Sequence, residues 1–113
     1  MSNFKLIKRK FHKGVQVVAK VTIGKRVVTA LVDTGATCNI IDKKFKMERL
    51  SHVSELVGFT GSIDEVPTIK EVTTEYGLMS NILEMDLKHL KVDIVLGANF
   101  FLDNKIILDF SKI

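Results

Sequence analysis

The amino-acid sequence predicts an all-β domain with one short helix near its end. Short segments of alternating apolar and polar residues, turns marked by glycine, and a single proline in 113 residues all favour this class. A chain of this length needs only one hydrophobic core, and no linker, repeat or low-complexity segment interrupts it. We therefore expect one domain over residues 1–113.

The first predicted strand covers residues 15–23, where apolar side chains occupy every second position. The apolar face consists of Val15, Val17, Ala19, Val21 and Ile23, and the residues opposite include Gln16, Lys20 and Thr22. Gly24 and Lys25 then form a hairpin turn, and the β-branched run 26–32 returns as a second strand. Residues 39–41 follow a loop and predict a third, short strand.

The middle of the chain predicts a hairpin with glycine near its tip. Residues 56–72 contain Gly58 and Gly61 between two extended segments. Residues 83–88 alternate apolar and charged side chains, which predicts a half-buried strand. Residues 92–96 are mostly apolar and predict a buried strand.

The chain ends in a short helix followed by a strand. Gly97 closes the buried strand, and residues 98–104 have helix-like composition over about two turns. Asp103 and Asn104 mark the end of this helix. Residues 105–110 are largely apolar and predict a final strand.

Composition argues against several classes of protein. The longest apolar runs span only a few residues, and the first thirteen residues lack an apolar stretch, so neither a membrane span nor a signal peptide is predicted. Cys38 is the only cysteine, which excludes an intrachain disulfide and favours an intracellular protein over a secreted one.

The net charge is +4, and much of the basic excess lies in residues 1–13. We expect this segment to be a solvated basic arm. Such an arm could contact nucleic acid, but no RNA-binding signature of aromatic and basic residues accompanies it. The sequence therefore does not favour a nucleic-acid partner.

The segment that points most clearly to chemistry is Asp33-Thr34-Gly35. A carboxylate placed directly after an apolar strand is poorly explained by folding needs, because burying it without a partner is costly. Gly35 permits a tight turn and leaves the backbone open to a ligand. On these three residues alone, an ordinary turn at a strand end is the better interpretation.

The flanking residues change that interpretation. Leu31 and Val32 precede the triplet, Ala36 follows it, and the apolar pair Ile40 and Ile41 comes a few residues later. In this arrangement the segment resembles the retroviral-type aspartic proteases, the retropepsins. Their signature is an apolar pair or triplet, Asp-Thr/Ser-Gly-Ala, and a second apolar pair.

A second block near the end of the chain strengthens the resemblance. Residues 92–101 are similar to the family's apolar-apolar-Gly segment and short helix, and residues 106–110 are similar to its C-terminal strand. The two blocks occur in the family's order and lie on either side of the glycine-bearing hairpin. The resemblance covers residues 15–110, nearly the whole chain.

The sequence departs from many animal retroviral enzymes at two positions. Those enzymes have an acidic residue just after Asp-Thr-Gly-Ala and an arginine after the later glycine, and the two form an ion pair. This chain has Thr37 and Ala98 there. In this respect it is more similar to proteases of retrotransposons and plant pararetroviruses, in which a serine often occupies the position of Asn39.

The resemblance implies a homodimeric aspartic endopeptidase with no cofactor and no metal. Asp33 of each of two chains would activate one water, Thr34 would brace the two loops across the axis, and Gly35 would contact the substrate backbone, with Ala36 completing the loop. Residues 56–67 would form a flap over an extended segment of a polyprotein. The tip of this flap would contain Gly58, Phe59, Thr60 and Gly61. The subunits would interleave through Ile106, Ile107, Leu108, Asp109 and Phe110. The setting would be the host-cell cytoplasm or a virus-like particle, without membrane attachment.

Other interpretations remain open at this stage. Cys38 could be a nucleophile with His12, His52 or His89 as its base, although no sequence feature places a histidine beside it. The histidines and acidic residues show no zinc-ligand spacing. A catalytically silent dimerisation or binding module would share the same core, and a basic nucleic-acid-binding β domain would show salt-dependent binding.

Overall fold

The computed structural model describes residues 4–57 and 60–113, and these residues form ten strands and one α-helix. The strands are β1 (Ile7–Phe11), β2 (Gly14–Ile23), β3 (Arg26–Asp33), β4 (Asn39–Asp42), β5 (Arg49–Val57), β6 (Ile63–Ile69), β7 (Val72–Thr74), β8 (Gly77–Met79), β9 (Ile82–Met85) and β10 (Ile94–Gly97). The helix α1 is Ala98–Asp103, and short 3₁₀ turns are Lys43–Phe45, Lys88–Leu90 and Phe110–Lys112. The predicted class, all-β with one short helix, is confirmed.

Eight strands form one sheet in the order β1-β2-β3-β10-β4-β9-β6-β5, and β7 and β8 pair separately. The pairs β3–β10 and β4–β9 are parallel, and the other pairs of the large sheet are antiparallel. Strand β10 therefore lies inside the sheet between β3 and β4. All four of its residues are buried, which explains the nearly continuous apolar sequence.

Two apolar clusters cover opposite faces of the sheet. The larger cluster includes Val21, Val28, Ile94, Leu96 and the two phenylalanines of α1, Phe100 and Phe101. The smaller cluster consists of Val18, Leu87, Val92 and Val95, with Leu31 and Ile40 packed against it. Because successive side chains of a strand point to opposite faces, neighbouring residues of β10 enter different clusters. The carboxyl end of β10 is thereby held firmly in the interior.

The predicted β2–β3 hairpin is confirmed, and Gly24 occupies the left-handed region with φ of +62°. The predicted faces of β2 are wrong at its start. Val15 is 62% exposed, whereas Gln16 is buried. The reason is that Gln16 finds polar partners there: its Oε1 accepts from Arg9 Nε at 2.8 Å and its Nε2 donates to the carbonyl of Leu90 at 3.0 Å.

Part of the segment expected to be a solvated arm is a strand. Residues 7–11 form β1 at the edge of the sheet, in antiparallel register with β2. Arg9 anchors this strand, because its Nη2 donates to the carbonyl of Lys91 at 2.7 Å. The arm prediction is therefore wrong for these residues.

The predicted strand over residues 83–88 begins and ends earlier, as β9. Asp86 and Lys88 of its predicted charged face lie beyond β9 and are exposed, but Glu84 is not. Glu84 is buried and forms an ion pair with Arg49 at the start of β5. The cause is that β9 lies inside the sheet, between β4 and β6. Strand β5 itself begins at Arg49, seven residues before the predicted hairpin segment.

The short helix ends where expected, since Asn104 is its C-cap and the Asn104 Nδ2 donates to the carbonyl of Phe100 at 2.9 Å. In the described part of the chain, no helix has the length and apolar character needed to cross a lipid bilayer.

Candidate active site

Asp33 is the last residue of β3 and lies beside the end of β10. The parallel register pairs Asp33 with Gly97. The Asp33-Thr34-Gly35 segment and the glycine that closes β10 therefore meet where these two strands end. Asp33, Thr34 and Gly35 are all exposed, and Ala36 is half-buried. The backbone of Asp33 is therefore held by the pairing of β3 with β10, and its carboxylate is open to solvent.

The loop after Asp33 is closed by its own backbone. The N–H of Gly35 donates to Asp33 Oδ1 at 3.2 Å, and the N–H of Ala36 donates to the Asp33 carbonyl at 3.1 Å. The first of these bonds favours one orientation of the carboxylate. The Asp33 side chain is therefore oriented before any ligand arrives.

Gly97 is pressed against this loop. A Cβ atom at Gly97 would lie 2.4 Å from the carbonyl oxygen of Cys38 and 2.8 Å from that of Ala36. The next residue, Ala98, donates its N–H to the Ala36 carbonyl at 2.9 Å. Only glycine fits at position 97, because any side chain would displace the backbone of the Asp33 loop.

Asn39 is a buried polar residue that the sequence did not identify as part of the site. Its side chain is 0% exposed, its Oδ1 accepts from the N–H of Gly97 at 2.8 Å, and its Nδ2 donates to the carbonyl of Ser80 at 2.7 Å. The only sequence signal for its role is its position as a polar residue directly before the apolar pair Ile40 and Ile41. Nothing in the sequence indicates which distant groups Asn39 contacts.

A cleft of about 330 Å³ lies between the Asp33 loop and the arms of the β5–β6 hairpin. Thr37 and Cys38 line it from the loop, Ser54 and Leu56 from β5, and Thr68 from β6. The hydroxyl groups of Ser54 and Thr68 lie 2.9 Å apart and form a hydrogen bond across the two arms. Leu56, the first residue of the predicted flap, thus shares a cleft with Thr37 and Cys38 of the loop that follows Asp33.

The predicted flap tip is described only in part. Gly58 and Phe59 lie outside the described residues. Thr60 and Gly61 are exposed, Gly61 has φ of +81°, and Thr60 Oγ1 donates to Ser62 Oγ at 3.3 Å. The arms are paired as an antiparallel hairpin, as the sequence predicts.

Cys38 lies close enough to Asp33 for the charge of the carboxylate to affect the pKa of the thiol. Partial burial raises the pKa of the Cys38 thiol, and the negative charge of Asp33 raises it further. A raised pKa keeps the sulfur protonated, which disfavours the role of a nucleophile. His52 lines the same cleft, but within the described residues no hydrogen bond connects it to Cys38. His12 and His89 lie elsewhere, in the β1–β2 turn and in a 3₁₀ turn.

Among the described residues, histidine, cysteine, aspartate and glutamate side chains form no group of three or more that could hold a metal ion.

The predicted strand over residues 105–110 is not a strand in the single chain. Residues 106–109 belong to no helix or strand, and a 3₁₀ turn follows. A strand needs a ladder partner, and none of the described strands pairs with this segment. Ile106 is buried in the larger cluster, and Leu108 packs against it, whereas Ile107 is 83% exposed and Phe110 is 48% exposed. Asp109 caps the final 3₁₀ turn by accepting from the N–H of Ser111.

Comparison with known proteins supports the sequence resemblance. A family model described as retroviral aspartyl protease matches residues 14–106. A comparison with curated proteins gave no significant match. The matched range runs from the start of β2, through the Asp33 loop and the β5–β6 hairpin, to the buried residue Ile106.

Proposed function

The chain belongs to the retroviral aspartyl protease family, and on that premise we propose that it is an aspartic endopeptidase whose active site is completed by a second copy of the chain. The observation that carries this proposal is the oriented, exposed carboxylate of Asp33 at the end of a buried sheet. The Asp-Thr-Gly triplet occurs once in the chain, so one subunit supplies half of a two-carboxylate site.

Two carboxyl groups about 3 Å apart cannot both be ionised, which is the established behaviour of aspartic proteases as a class. The pair of Asp33 side chains would therefore share one proton. The ionised member takes a proton from water as the water attacks the peptide carbonyl, and the protonated member donates a hydrogen bond to the carbonyl oxygen. This chemistry needs no metal or cofactor.

A two-fold axis through the Asp33 loops would make the interface isologous. Thr34 is exposed beside Asp33 and would contact the partner's loop, and Gly35 leaves its backbone open to substrate. The exposed side chains of Ile107 and Phe110 lie on a segment without a ladder partner in the described chain. Pairing of this segment with that of a second copy would cover them and supply the missing strand pairing.

The substrate would be an extended segment of a polyprotein, bound in the cleft between the Asp33 loop and the β5–β6 hairpin. Such a hairpin can close over a bound peptide and exclude water from the reacting atoms. The setting we propose is intracellular, in a host cell or a virus-like particle.

The test is Asp33→Asn, an amide of nearly the same shape that cannot act as the base. The purified variant and the wild-type chain are incubated with the polyprotein segments that adjoin the domain, and fragments are identified by mass spectrometry. We expect cleavage by the wild-type chain and none above background by the variant, with unchanged thermal unfolding. Equal cleavage by both would contradict the proposal. A wild-type chain that dimerises but cleaves none of these segments would favour the silent binding module instead.

A further inference from the structure

We infer that Asn39 is a positioning residue for Asp33: its buried amide fixes the backbone of Gly97, and through Gly97 the loop that carries the carboxylate. The kinetic consequences of this inference rest on the proposed function. Its structural consequence, protection of one particular backbone N–H, can be tested without any enzymatic assay.

Asn39 connects three segments of the chain. Its side chain accepts from the N–H of Gly97 at 2.8 Å and donates to the carbonyl of Ser80 at 2.7 Å, and its backbone N–H donates to the carbonyl of Asn81 at 3.0 Å. Gly97 ends β10, and residues 80 and 81 lead into β9. Asn39 itself begins β4, at the end of the Asp33 loop.

The identity of the partners fixes the orientation of the Asn39 amide. A backbone N–H can only donate and a carbonyl oxygen can only accept, so Oδ1 must face Gly97 and Nδ2 must face Ser80. Both functions are used at once, at a site with no access to solvent. An aspartate would keep the acceptor and lose the donor, and a leucine of similar size would lose both.

The connection from Gly97 to Asp33 is direct. Gly97 is the register partner of Asp33 in the β3–β10 ladder. Its Cα lies so close to the carbonyl oxygens of Ala36 and Cys38 that an added Cβ would overlap them. A displacement of Gly97 therefore moves the loop on both sides of Ala36. Asn39 controls the position of a catalytic carboxylate that it does not touch.

The kinetic test replaces the amide by the acid, with Asn39→Asp. Where the pH is high enough to ionise the introduced carboxyl, it faces the carbonyl of Ser80 as a second acceptor, and the two repel each other. We then expect kcat to fall by about 10- to 100-fold with little change in KM, because a shift of about 1 Å at a catalytic group has an effect of this size. At lower pH the carboxyl takes up a proton and can again donate to Ser80. The deficit in kcat should then shrink by about tenfold or more as the pH falls.

Other titratable groups lie on the segments that contact Asn39. They are Asp33 and Cys38 on its own loop, Asp42 at the other end of β4, Glu84 on β9, Asp93 just before β10, and Glu71, whose carboxylate accepts from Ser80 Oγ at 3.4 Å. All of them are present in the wild-type chain. The ratio of variant to wild-type kcat at each pH therefore isolates the introduced carboxyl.

Gln16→Glu is the matched control. Gln16 is also a buried amide that accepts one hydrogen bond and donates another to a carbonyl, but it lies between β1 and a 3₁₀ turn, away from the Asp33 loop. We expect kcat of this variant to stay within about twofold of wild type across the pH range. A deficit for Asn39→Asp that is constant with pH, or that the control reproduces, would overturn the inference.

Hydrogen exchange of the Gly97 amide supplies the second test, in the folded protein and without substrate. We expect Asn39→Leu, which lacks the acceptor that faces Gly97 and is kept under conditions where it is folded, to lose at least about tenfold protection at Gly97 while amides in the middle of β2 keep theirs. Wild-type protection at Gly97 in this variant would refute the contact. If Gly97 loses protection in the Asn39 variant but Asp33→Asn still cleaves substrate, the contact between Asn39 and Gly97 is supported and the proposed function is rejected. Failure of the inference and failure of the proposed function can therefore be distinguished.

Discussion

Gly97→Ala is the substitution whose cost the structure specifies most closely. The new methyl group would lie 2.4 Å from the Cys38 carbonyl oxygen and 2.8 Å from the Ala36 carbonyl oxygen, where ordinary van der Waals contact begins near 3.4 Å. Both obstacles are backbone atoms, so the loop or β10 must move by about 1 Å to accept the methyl group. Overpacking of this kind costs about 1–3 kcal/mol in the free energy of unfolding.

The activity should fall more than the stability loss suggests. A shift of about 1 Å at Asp33 corresponds to a loss of about 100-fold in kcat. Urea unfolding of the variant measures the first effect, and peptide cleavage at a temperature where the variant is fully folded measures the second. Gly14→Ala is the control, since its added methyl group would meet only the Phe11 carbonyl at 3.9 Å. A Gly97→Ala chain with wild-type stability and activity would refute the close approach of the loop.

Three further predictions concern residues outside the Asp33 loop. Arg49→Met leaves the buried carboxylate of Glu84 without its ion-pair partner and should destabilise the fold by about 2 kcal/mol; an unchanged free energy of unfolding in urea would contradict this. Ile107→Lys should leave the stability of the single chain unchanged, because the side chain is 83% exposed, yet abolish dimers in sedimentation; surviving dimers would exclude the terminal segment from the interface. Partial burial raises the pKa of Asp93, but the hydrogen bonds from Lys44 and from the N–H of Thr29, together with the positive charges of Lys44 and Lys20, outweigh burial and lower the pKa. The stability from Asp93 is therefore present above the unfolded carboxyl pKa of about 3.9 and lost as the pH falls below it, so Asp93→Asn should flatten the decline in unfolding free energy in that acidic range; an unchanged decline would contradict the assignment.

The elements that sequence predicted well are those whose signals are local. The β2–β3 hairpin follows from alternation and from Gly24, and the helix after Gly97 follows from composition over a few residues. The Asp33 loop was recognised because its flanking apolar residues form a pattern within one short segment. Each of these features requires no knowledge of distant parts of the chain.

The errors arose where a residue's environment is set by distant partners. Strand β1 is highly charged, and its place in the sheet depends on Arg9, which contacts a carbonyl 82 residues away. Gln16 and Glu84 are buried because an arginine from another strand, Arg9 for Gln16 and Arg49 for Glu84, satisfies each of them. Asn39 belongs to the same class, since its partners come from β10 and from the segment before β9.

The terminal strand is a different case. Residues 105–110 have a suitable sequence for a strand, but strand formation also needs a neighbour, and the described chain offers none. The same segment leaves Ile107 and Phe110 exposed. A second copy of the chain is the partner that our account proposes.

The measurement that tests the central claim most directly is a titration of wild-type chains with Asp33→Asn chains, at concentrations where dimers dominate and subunits exchange. If each active site needs two Asp33 side chains, random pairing leaves about one quarter of the dimers fully wild type in an equal mixture. The activity of a fixed amount of wild-type chain should then fall to about half, and to about one quarter with a threefold excess of the variant. Activity that stays constant while mixed dimers are shown to form would mean that one Asp33 is sufficient, and would contradict the shared active site.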